Sequence, residues 1–251
     1  MSFQEAIQYR TELHKLAELS GQEIKTAQYI QNNLEEMGFN VRSGVGGHGL
    51  VVDIDSGVAG PTVMLRADID ALPYADPNDP ERIEAIHACG HDAHAAILLA
   101  AAPEIRKNLK KGKIRLAFQP AEESLQGALA MIKDGVLDGV DIVVGSHIRP
   151  VQDLPFGKYC ASVNHVACAT VEVRIDGKQA HAARPLLGIN PIEAASQYIA
   201  SVGPNKSWSV KPTQIHSEVG ATNSIPSFVK IAYDLRAQDN AALEAPKIFL
   251  I

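Results

Sequence analysis

The sequence predicts an α/β domain built on a mostly parallel central sheet, followed by a smaller α+β domain. Apolar segments with strand character alternate with segments of helical periodicity as far as residue 145, which is typical of strands joined by helical crossovers. The alternation then stops in a loop rich in proline and glycine, residues 150–157, and a different pattern follows. We therefore expect two domains, residues 1–165 and residues 166–251.

The first element predicted in this domain is an amphipathic helix. Ser20 followed by Glu23 is the pattern of a capping box, and apolar residues then recur at helical spacing until Gly38. Strands and helices alternate after this helix. The strands are predicted at residues 50–55, 62–68, 113–119 and 141–145, and the helices at residues 91–108 and 127–134.

The second domain shows a different mixture of elements. Strands are predicted at residues 169–175, 213–219 and 228–236, with a helix at residues 191–202 that is entered through Asn190. Residues 240–245 begin a further helix, which Pro246 should interrupt. Because the last residues, 248–251, are apolar, we expect a C-terminal truncation that leaves both domains incomplete; a terminus docked against a core is the alternative.

Composition excludes several classes of protein. The hydrophobic and charged fractions, 46% and 21%, are those of an ordinary globular chain rather than a disordered one. A net charge of -6 disfavours nucleic acid and anionic membranes as partners. The longest strongly apolar run, residues 95–102, is too short to span a bilayer, and the first residues lack the apolar core of a signal peptide. With only three irregularly spaced cysteines, we expect a cytoplasmic protein.

A thiol and an imidazole flank a glycine where the helix at residues 91–108 begins. Cys89 and His91, in the segment HACGHD, are both metal ligands by type, and the glycine permits a bend that lets their side chains converge. Thiolate and neutral imidazole suit zinc or a similar ion. Taken alone, the pair also has a plainer interpretation, in which the cysteine is a small buried residue and the histidine caps the helix.

Further polar residues follow three predicted strands. They are Asp68 and Asp70 after the second strand, Glu122 and Glu123 after the third, and His147 after the fourth. In an open α/β sheet, ligands bind outside the carboxyl ends of the strands, so these residues can meet Cys89 and His91 in one crevice. Any single one of them could be a helix cap or a surface turn, but the whole set favours a metal site.

The segments RADIDALP, HACGHDAH, FQPAEE, GSH and GKQAHAARP resemble, in this order, the motifs of a family of metal-dependent amidohydrolases. That family includes aminoacylases, hippurate hydrolases and auxin-conjugate hydrolases, and within it the sequence is most similar to the bacillar group called amidohydrolase X. The resemblance runs from LHKLAELSGQE to DLRAQ. It implies a catalytic domain of the zinc-peptidase fold and an inserted ferredoxin-like domain that serves as lid and dimerisation surface.

The resemblance also assigns roles in the first domain. Two divalent metal ions (Zn, Mn, Co or Ni) would be held by Cys89, His91, Glu123 and His147, with Cys89 as the bridge. Glu122 would be the general base, and Asp70, with Asp68, would orient a ligand. Asp92 and His94 could support the cluster, with a structural role on the helix as the favoured alternative for His94. This division of labour is chemically reasonable, because a metal lowers the pKa of water while a carboxylate takes its proton.

In the second domain the resemblance assigns three residues to the substrate. His181 would reach the active site of a neighbouring subunit and stabilise the developing oxyanion, which implies a homodimer formed through the lid. Arg236 could grip a substrate carboxylate, with Asn223 beside it. A solvated strand residue is the alternative interpretation of Arg236.

The expected function is therefore metal-dependent hydrolysis of the amide bond of N-acyl amino acids or related small amides. A dipeptidase or aminopeptidase is the alternative within the same class of enzyme. Family members carry one further histidine ligand after the lid, and no residue here can be mapped to it, since His216 lies within the lid. A catalytically inactive fragment that keeps partial metal binding or dimerisation is the second hypothesis.

Overall fold

The computed structural model describes residues 3–162, 166–203, 205–217 and 221–250. The chain divides into two compact units, Met1–Lys158 and Tyr159–Ile251. The sequence predicts the boundary between residues 165 and 166. This position adjoins residues 163–165, which lie outside the described residues.

The first unit is built on a mixed sheet with the strand order β1-β2-β6-β3-β7. Its elements are α1 (Phe3–Lys15), α2 (Ile24–Glu36), β1 (Val41–Val45), β2 (Gly49–Asp55), β3 (Thr62–Asp68), β4 (Leu72–Asp76), β5 (Asp79–Ile86), α3 (His91–Asn108), β6 (Lys113–Gln119), α4 (Gly127–Lys133) and β7 (Ile142–Gly145). Strand β3 pairs parallel with β6 and β7, whereas β2 pairs antiparallel with β1 and β6. Within the described residues, β2 alone opposes the other strands of this sheet, so the predicted mostly parallel α/β fold is confirmed.

Both faces of this sheet are covered. Leu34 of α2 and Leu99 of α3 are fully buried in one cluster with Leu116 and Phe118 of β6. Ala117, which lies between those two β6 residues, belongs to a second cluster with residues of α4 and β3. Because side chains alternate across a strand, these clusters lie on opposite faces. Burial on both faces explains the apolar character of the central strands β3 and β6.

The start of α2 differs from the prediction. The helix begins at Ile24, and the side chain of Glu23 makes no cap hydrogen bond. The capping box predicted from Ser20 and Glu23 is therefore wrong. Instead, the carboxylate of Glu18 accepts hydrogen bonds from the first free N–H groups of the helix, those of residues 25 and 26. Ser20 and Glu23 are thus available for other contacts.

The second unit contains a three-stranded antiparallel sheet in the order β10-β12-β8 within its described residues. Its elements are β8 (Ala167–Asp176), β9 (Ala180–His181), a 3-10 turn (Pro185–Leu187), α5 (Pro191–Ser201), β10 (Trp208–Ser217), β11 (Ser224–Ile225), β12 (Phe228–Ala237) and α6 (Glu244–Phe249). Tyr233 and Leu235 of β12 are fully buried in a cluster with Ala195 of α5 and Leu250. The sheet therefore has one face packed against helices, as expected for an α+β unit.

The structure tests the predicted starts of two helices in this unit. The N–H group of Ile192 donates to Oδ1 of Asn190 at 3.1 Å, which confirms the predicted start of α5. The helix predicted at residues 240–245 is wrong, because α6 begins at Glu244 and contains Pro246 in its first turn. A proline is tolerated there, since the first turn has no intrahelical acceptors for its N–H groups. Residues 218 and 219 of the predicted strand 213–219 lie outside the described residues.

None of the helices in the described part of the chain combines the length and apolar character that crossing a membrane requires.

Candidate metal centre

Three parallel strands and one helix bring polar side chains to the same edge of the first sheet. The contributors are Asp68 and Asp70 at the end of β3, Glu122 and Glu123 after β6, His147 after β7, and Cys89 and His91 at the start of α3. Gly90 makes the approach of α3 possible. Its φ is 84°, in the left-handed region that favours glycine, and a Cβ at this position would overlap the side chain of Ile148. A glycine avoids both problems, which explains the residue between the thiol and the imidazole.

His91 lies at the centre of this group, and its side chain is fully buried. Its Nδ1 lies 2.9 Å from the carbonyl oxygen of Asp70 and 3.1 Å from Oδ1 of the same residue. Both partners are acceptors, so Nδ1 carries a proton, and Nε2 is the ring nitrogen left to bind a ligand. That Nε2 lies 3.6 Å from Oε1 of Glu123 and 3.9 Å from Oε2 of Glu122.

Cys89, His91 and Glu123 each offer a ligand atom, and these atoms lie within 4.8 Å of one another. Nε2 of His91 and Oε1 of Glu123 are buried and have no hydrogen-bond partner within the described chain. Burial raises the pKa of Cys89 to about 12, and the carboxylates of Glu123, Glu122 and Asp68 act in the same direction. Buried lone pairs surrounded by negative charge form a donor set that suits a divalent cation.

A second group of potential metal ligands meets the same distance limit and consists of Asp68, His91, His94 and His147. His94, however, already uses both ring nitrogens. Its Nδ1 donates to Oδ1 of Asp68 at 2.6 Å, and its Nε2 accepts from the N–H of Ile148 at 3.0 Å. It therefore has no free lone pair in this arrangement, and it ties α3 to the segment that carries His147.

His147 itself is exposed, and its ring centroid lies 6.0 Å from that of His91. Its Nδ1 donates to the carbonyl oxygen of Ile148, so its Nε2 is left free. The ring of His94 lies closer, with centroids 4.4 Å apart. His147 therefore approaches the centre from β7 with one nitrogen available as a ligand.

The acidic residues of the site differ in their proton affinities. Burial acts to raise the pKa of Asp68, but the hydrogen bond from His94 and the charge of Arg66 lower it to about 2. The pKa of Asp70 is also lowered, because hydrogen bonds from His91, Ser20 and the N–H of residue 123 outweigh burial. The pKa of Glu122, in contrast, is raised by burial and by the neighbouring Glu123.

Three residues predicted to bind the substrate lie in the second unit, and they are His181, Asn223 and Arg236. Strand β9 pairs with β11, which places His181 opposite Ser224, and the N–H of Ala182 donates to the carbonyl oxygen of Asn223 at 2.8 Å. His181 and Asn223 are thus brought together. Arg236 lies at the far end of β12, opposite residue 168, and its Nε donates to the carboxylate of Asp234 at 2.8 Å. Its role in substrate binding stays a prediction.

Comparisons with known proteins agree with this geometry. The model of a family described as Peptidase family M20/M25/M40 matches residues 64–241. N-acetyl-L-cysteine deacetylase of Bacillus subtilis is 42% identical over 213 residues, which is 82% of this chain and 51% of that protein. Hippurate hydrolase of Campylobacter jejuni is 33% identical over 262 residues, which is 96% of this chain and 67% of that protein. The chain therefore spans about half to two thirds of the length of these relatives.

Solved structures are similar over almost the whole chain. An aminohydrolase from methicillin-resistant Staphylococcus aureus superposes with a TM-score of 0.76 and 32% identity, over 98% of this chain and 67% of that chain. The YxeP protein of Bacillus subtilis, described as a dinuclear metal binding peptidase of the M20 family, gives a TM-score of 0.73 and 30% identity over the same shares.

Proposed function

The chain belongs to peptidase family M20/M25/M40, and from this premise we propose that its first unit forms the metal site of an amide hydrolase. The proposed reaction is hydrolysis of the amide bond of N-acyl amino acids or related small amides. Two similar proteins are named for such substrates, N-acetyl-L-cysteine and hippurate. The observation that carries the proposal is the pair of buried, unpartnered atoms His91 Nε2 and Glu123 Oε1 beside the thiol of Cys89.

Cys89, His91, Glu123 and His147 would hold two divalent ions. A thiolate, two imidazoles and a carboxylate are compatible with zinc and also with manganese, cobalt or nickel. When bound, such ions lower the pKa of water and polarise an amide carbonyl. Asp70 supports this centre by holding the proton of His91 on Nδ1, so that Nε2 stays free.

Glu122 is the proposed general base. Its carboxylate lies beside His91 but is more exposed than that of Glu123, with 35% of the side chain accessible against 21%. Because burial and Glu123 raise its pKa, its affinity for a proton is higher than that of an ordinary glutamate. A carboxylate of this kind is suited to taking a proton from water and delivering it to the leaving amine.

The second unit carries the residues that we propose to bind the substrate. His181 and Asn223 lie together and are both exposed, which supports contact with a substrate rather than a role in the core. In the proposal, His181 stabilises the oxyanion in the site of a partner subunit, and Arg236 binds a substrate carboxylate.

The adjacent glutamates provide a matched test. Glu122→Gln and Glu123→Gln make the same chemical change at neighbouring positions, and we expect opposite effects on metal content. Glu122→Gln should retain metal and lose turnover by about 100-fold or more, since general base catalysis contributes on that order. Glu123→Gln should lose metal. The measurements are metal content and the release of amino acid from a panel of N-acetyl amino acids.

Two outcomes would overturn the proposal. Loss of metal from Glu122→Gln would move Glu122 from the role of base to that of ligand. The absence of turnover by the unaltered, metal-loaded chain over the whole panel would refute the proposed activity.

A further inference from the structure

The turn that carries Glu122 and Glu123 contains a residue in an unfavourable conformation. Ala121 has a φ of 50°, in the left-handed region that side chains with a Cβ rarely adopt. Such a conformation persists only where the surrounding structure fixes it, and it is common at functional sites. The contacts of Ala121 therefore show what holds the two glutamates in place.

Both backbone polar groups of Ala121 are fixed. Its carbonyl oxygen accepts hydrogen bonds from within the turn, from the N–H groups of Gln126 and Gly127 and from Oγ of Ser124. Its N–H donates to Oε1 of Glu23 at 2.7 Å, a residue 98 positions earlier in the chain. The turn closes on itself on one side, and on the other it is anchored to a distant side chain.

Glu23 is completely buried, which is rare for an acidic residue. Its Oε1 also accepts from the N–H of Gly21 at 2.8 Å, while its Oε2 has no hydrogen-bond partner within the described residues. A buried polar atom without a partner destabilises a fold. This carboxyl does not cap α2, so its contacts with the N–H groups of Gly21 and Ala121 are what its burial serves.

The loop that leads to Glu23 also reaches the other half of the site. Oγ of Ser20 donates to Oδ2 of Asp70 at 2.7 Å, and the same oxygen accepts from the N–H of Glu123 at 2.9 Å. The N–H of Ala71 donates to the carbonyl oxygen of residue 18 at 2.8 Å. Residues 18–23 therefore contact both Asp70, which orients His91, and the turn that carries the two glutamates.

We propose that Glu23 is a positioning residue that sets the placement of Glu122 and Glu123 relative to His91 by holding the N–H of Ala121. The side chain of Glu23 is completely buried, and its hydrogen bond to the turn is made with the backbone N–H of Ala121. The inference rests on the proposed function, because it concerns the same metal site. It goes beyond that function by assigning a role to a residue at the entrance of α2.

The first test compares two substitutions of Glu23 with a matched control. Glu23→Met has similar bulk but no acceptor, whereas Glu23→Gln keeps one carbonyl oxygen for the two N–H groups. Thr26→Val, in the first turn of α2, removes a buried hydroxyl that lies within hydrogen-bond distance of the carbonyl oxygen of Leu16 and the carboxylate of Glu18. Each protein is titrated with Co²⁺ in competition with a chelator, and its stability is measured by urea unfolding.

We expect Glu23→Met to weaken Co²⁺ binding by about tenfold to hundredfold, the usual effect of losing an outer partner of a ligand. Glu23→Gln should stay close to the unaltered protein. Thr26→Val should unfold at lower urea concentration with unchanged Co²⁺ affinity. Hydrogen exchange in residues 119–126, measured without metal, should be faster in Glu23→Met alone.

A double substitution separates positioning from folding. Glycine adopts a positive φ without strain, so Ala121→Gly should reduce the dependence of the turn on Glu23. Glu23→Met should therefore weaken Co²⁺ binding less in the Ala121→Gly background than in the unaltered chain.

Failure of the proposed metal site and failure of the positioning role of Glu23 would give different results. If the unaltered chain does not bind Co²⁺, the proposed metal site is refuted. If the unaltered chain binds Co²⁺ and Glu23→Met binds it equally well, the positioning role is refuted. It is also refuted if Thr26→Val weakens Co²⁺ binding as much as Glu23→Met does. In both cases the proposed function stands. If Glu23→Met does not fold, Glu23→Gln decides, because a loss of affinity in this variant would contradict the role of the acceptor oxygen.

Discussion

The two units hold their predicted functional residues in different ways. In the first unit, Asp68, Asp70, His91 and His94 are all buried, and their hydrogen bonds connect β3, α3 and the segments after β6 and β7. In the second unit, His181 and Arg236 are exposed, and their polar partners lie within two residues along the chain. The comparison teaches that contacts between separate elements orient the buried residues of the first unit's site, whereas His181 and Arg236 are held by contacts with near neighbours in the chain.

The largest expected effect is the loss of a thiol from the first unit. Cys89→Ala should reduce Co²⁺ affinity by more than the tenfold to hundredfold expected for an outer contact, and it should remove the thiolate-to-cobalt absorption band. Cys168→Ala, at an exposed position of β8, is the control and should change neither. An unchanged cobalt spectrum in Cys89→Ala would show that the thiol is not a ligand.

The next effect is on stability as a function of pH. The pKa of folded Asp68 is about 2, against an ordinary value of 3.8, so its ionised form stabilises the fold at and above pH 5. This contribution, about 2 kcal/mol, should be lost as the pH falls through about 2, with most of the loss below pH 4. Urea unfolding of Asp68→Asn should show a flatter dependence on pH in this range than the unaltered protein.

Asp55 is a suitable control, because this fully exposed carboxylate pairs with Lys113. Asp55→Asn should alter the pH dependence less, since solvent screens an exposed pair. Equal effects of Asp68→Asn and Asp55→Asn on the pH dependence of unfolding would mean that the ionised Asp68 stabilises the fold no more than an exposed ion pair does.

The smallest expected effect is in the second unit. His181→Ala and Arg236→Ala should leave Co²⁺ affinity unchanged, and Arg236→Ala should lower the free energy of unfolding by less than about 1 kcal/mol, as is usual for exposed ion pairs. A loss of Co²⁺ affinity in either variant would show that the first unit does not orient its site alone.

Much of the architecture could be predicted from local patterns. The bounds of β3, β6 and α3 coincide with those predicted, because alternating and helical periodicities are properties of neighbouring residues. The grouping of His91 with Glu122, Glu123 and His147 also followed from the rule that polar residues after parallel strands share one edge. The antiparallel β2 did not follow, since periodicity carries no information on strand direction.

Residues 20 and 23 show where sequence reasoning stopped. Their spacing matches a capping box, and a local rule therefore assigned them to the helix that follows. The structure pairs Ser20 with Asp70 and Glu23 with Ala121, at separations of 50 and 98 residues. Contacts at such distances are set by the packing of the whole unit, so no local pattern could have distinguished a cap from an anchor of the site.

The order of the motifs along the chain was therefore enough to identify the family and the kinds of ligand, because residue type limits chemistry. The tertiary structure decided which nitrogen of His91 is free, that both nitrogens of His94 are occupied, and which carboxylate has the raised pKa. These properties depend on the partners that each group meets after folding, and burial makes those partners decisive.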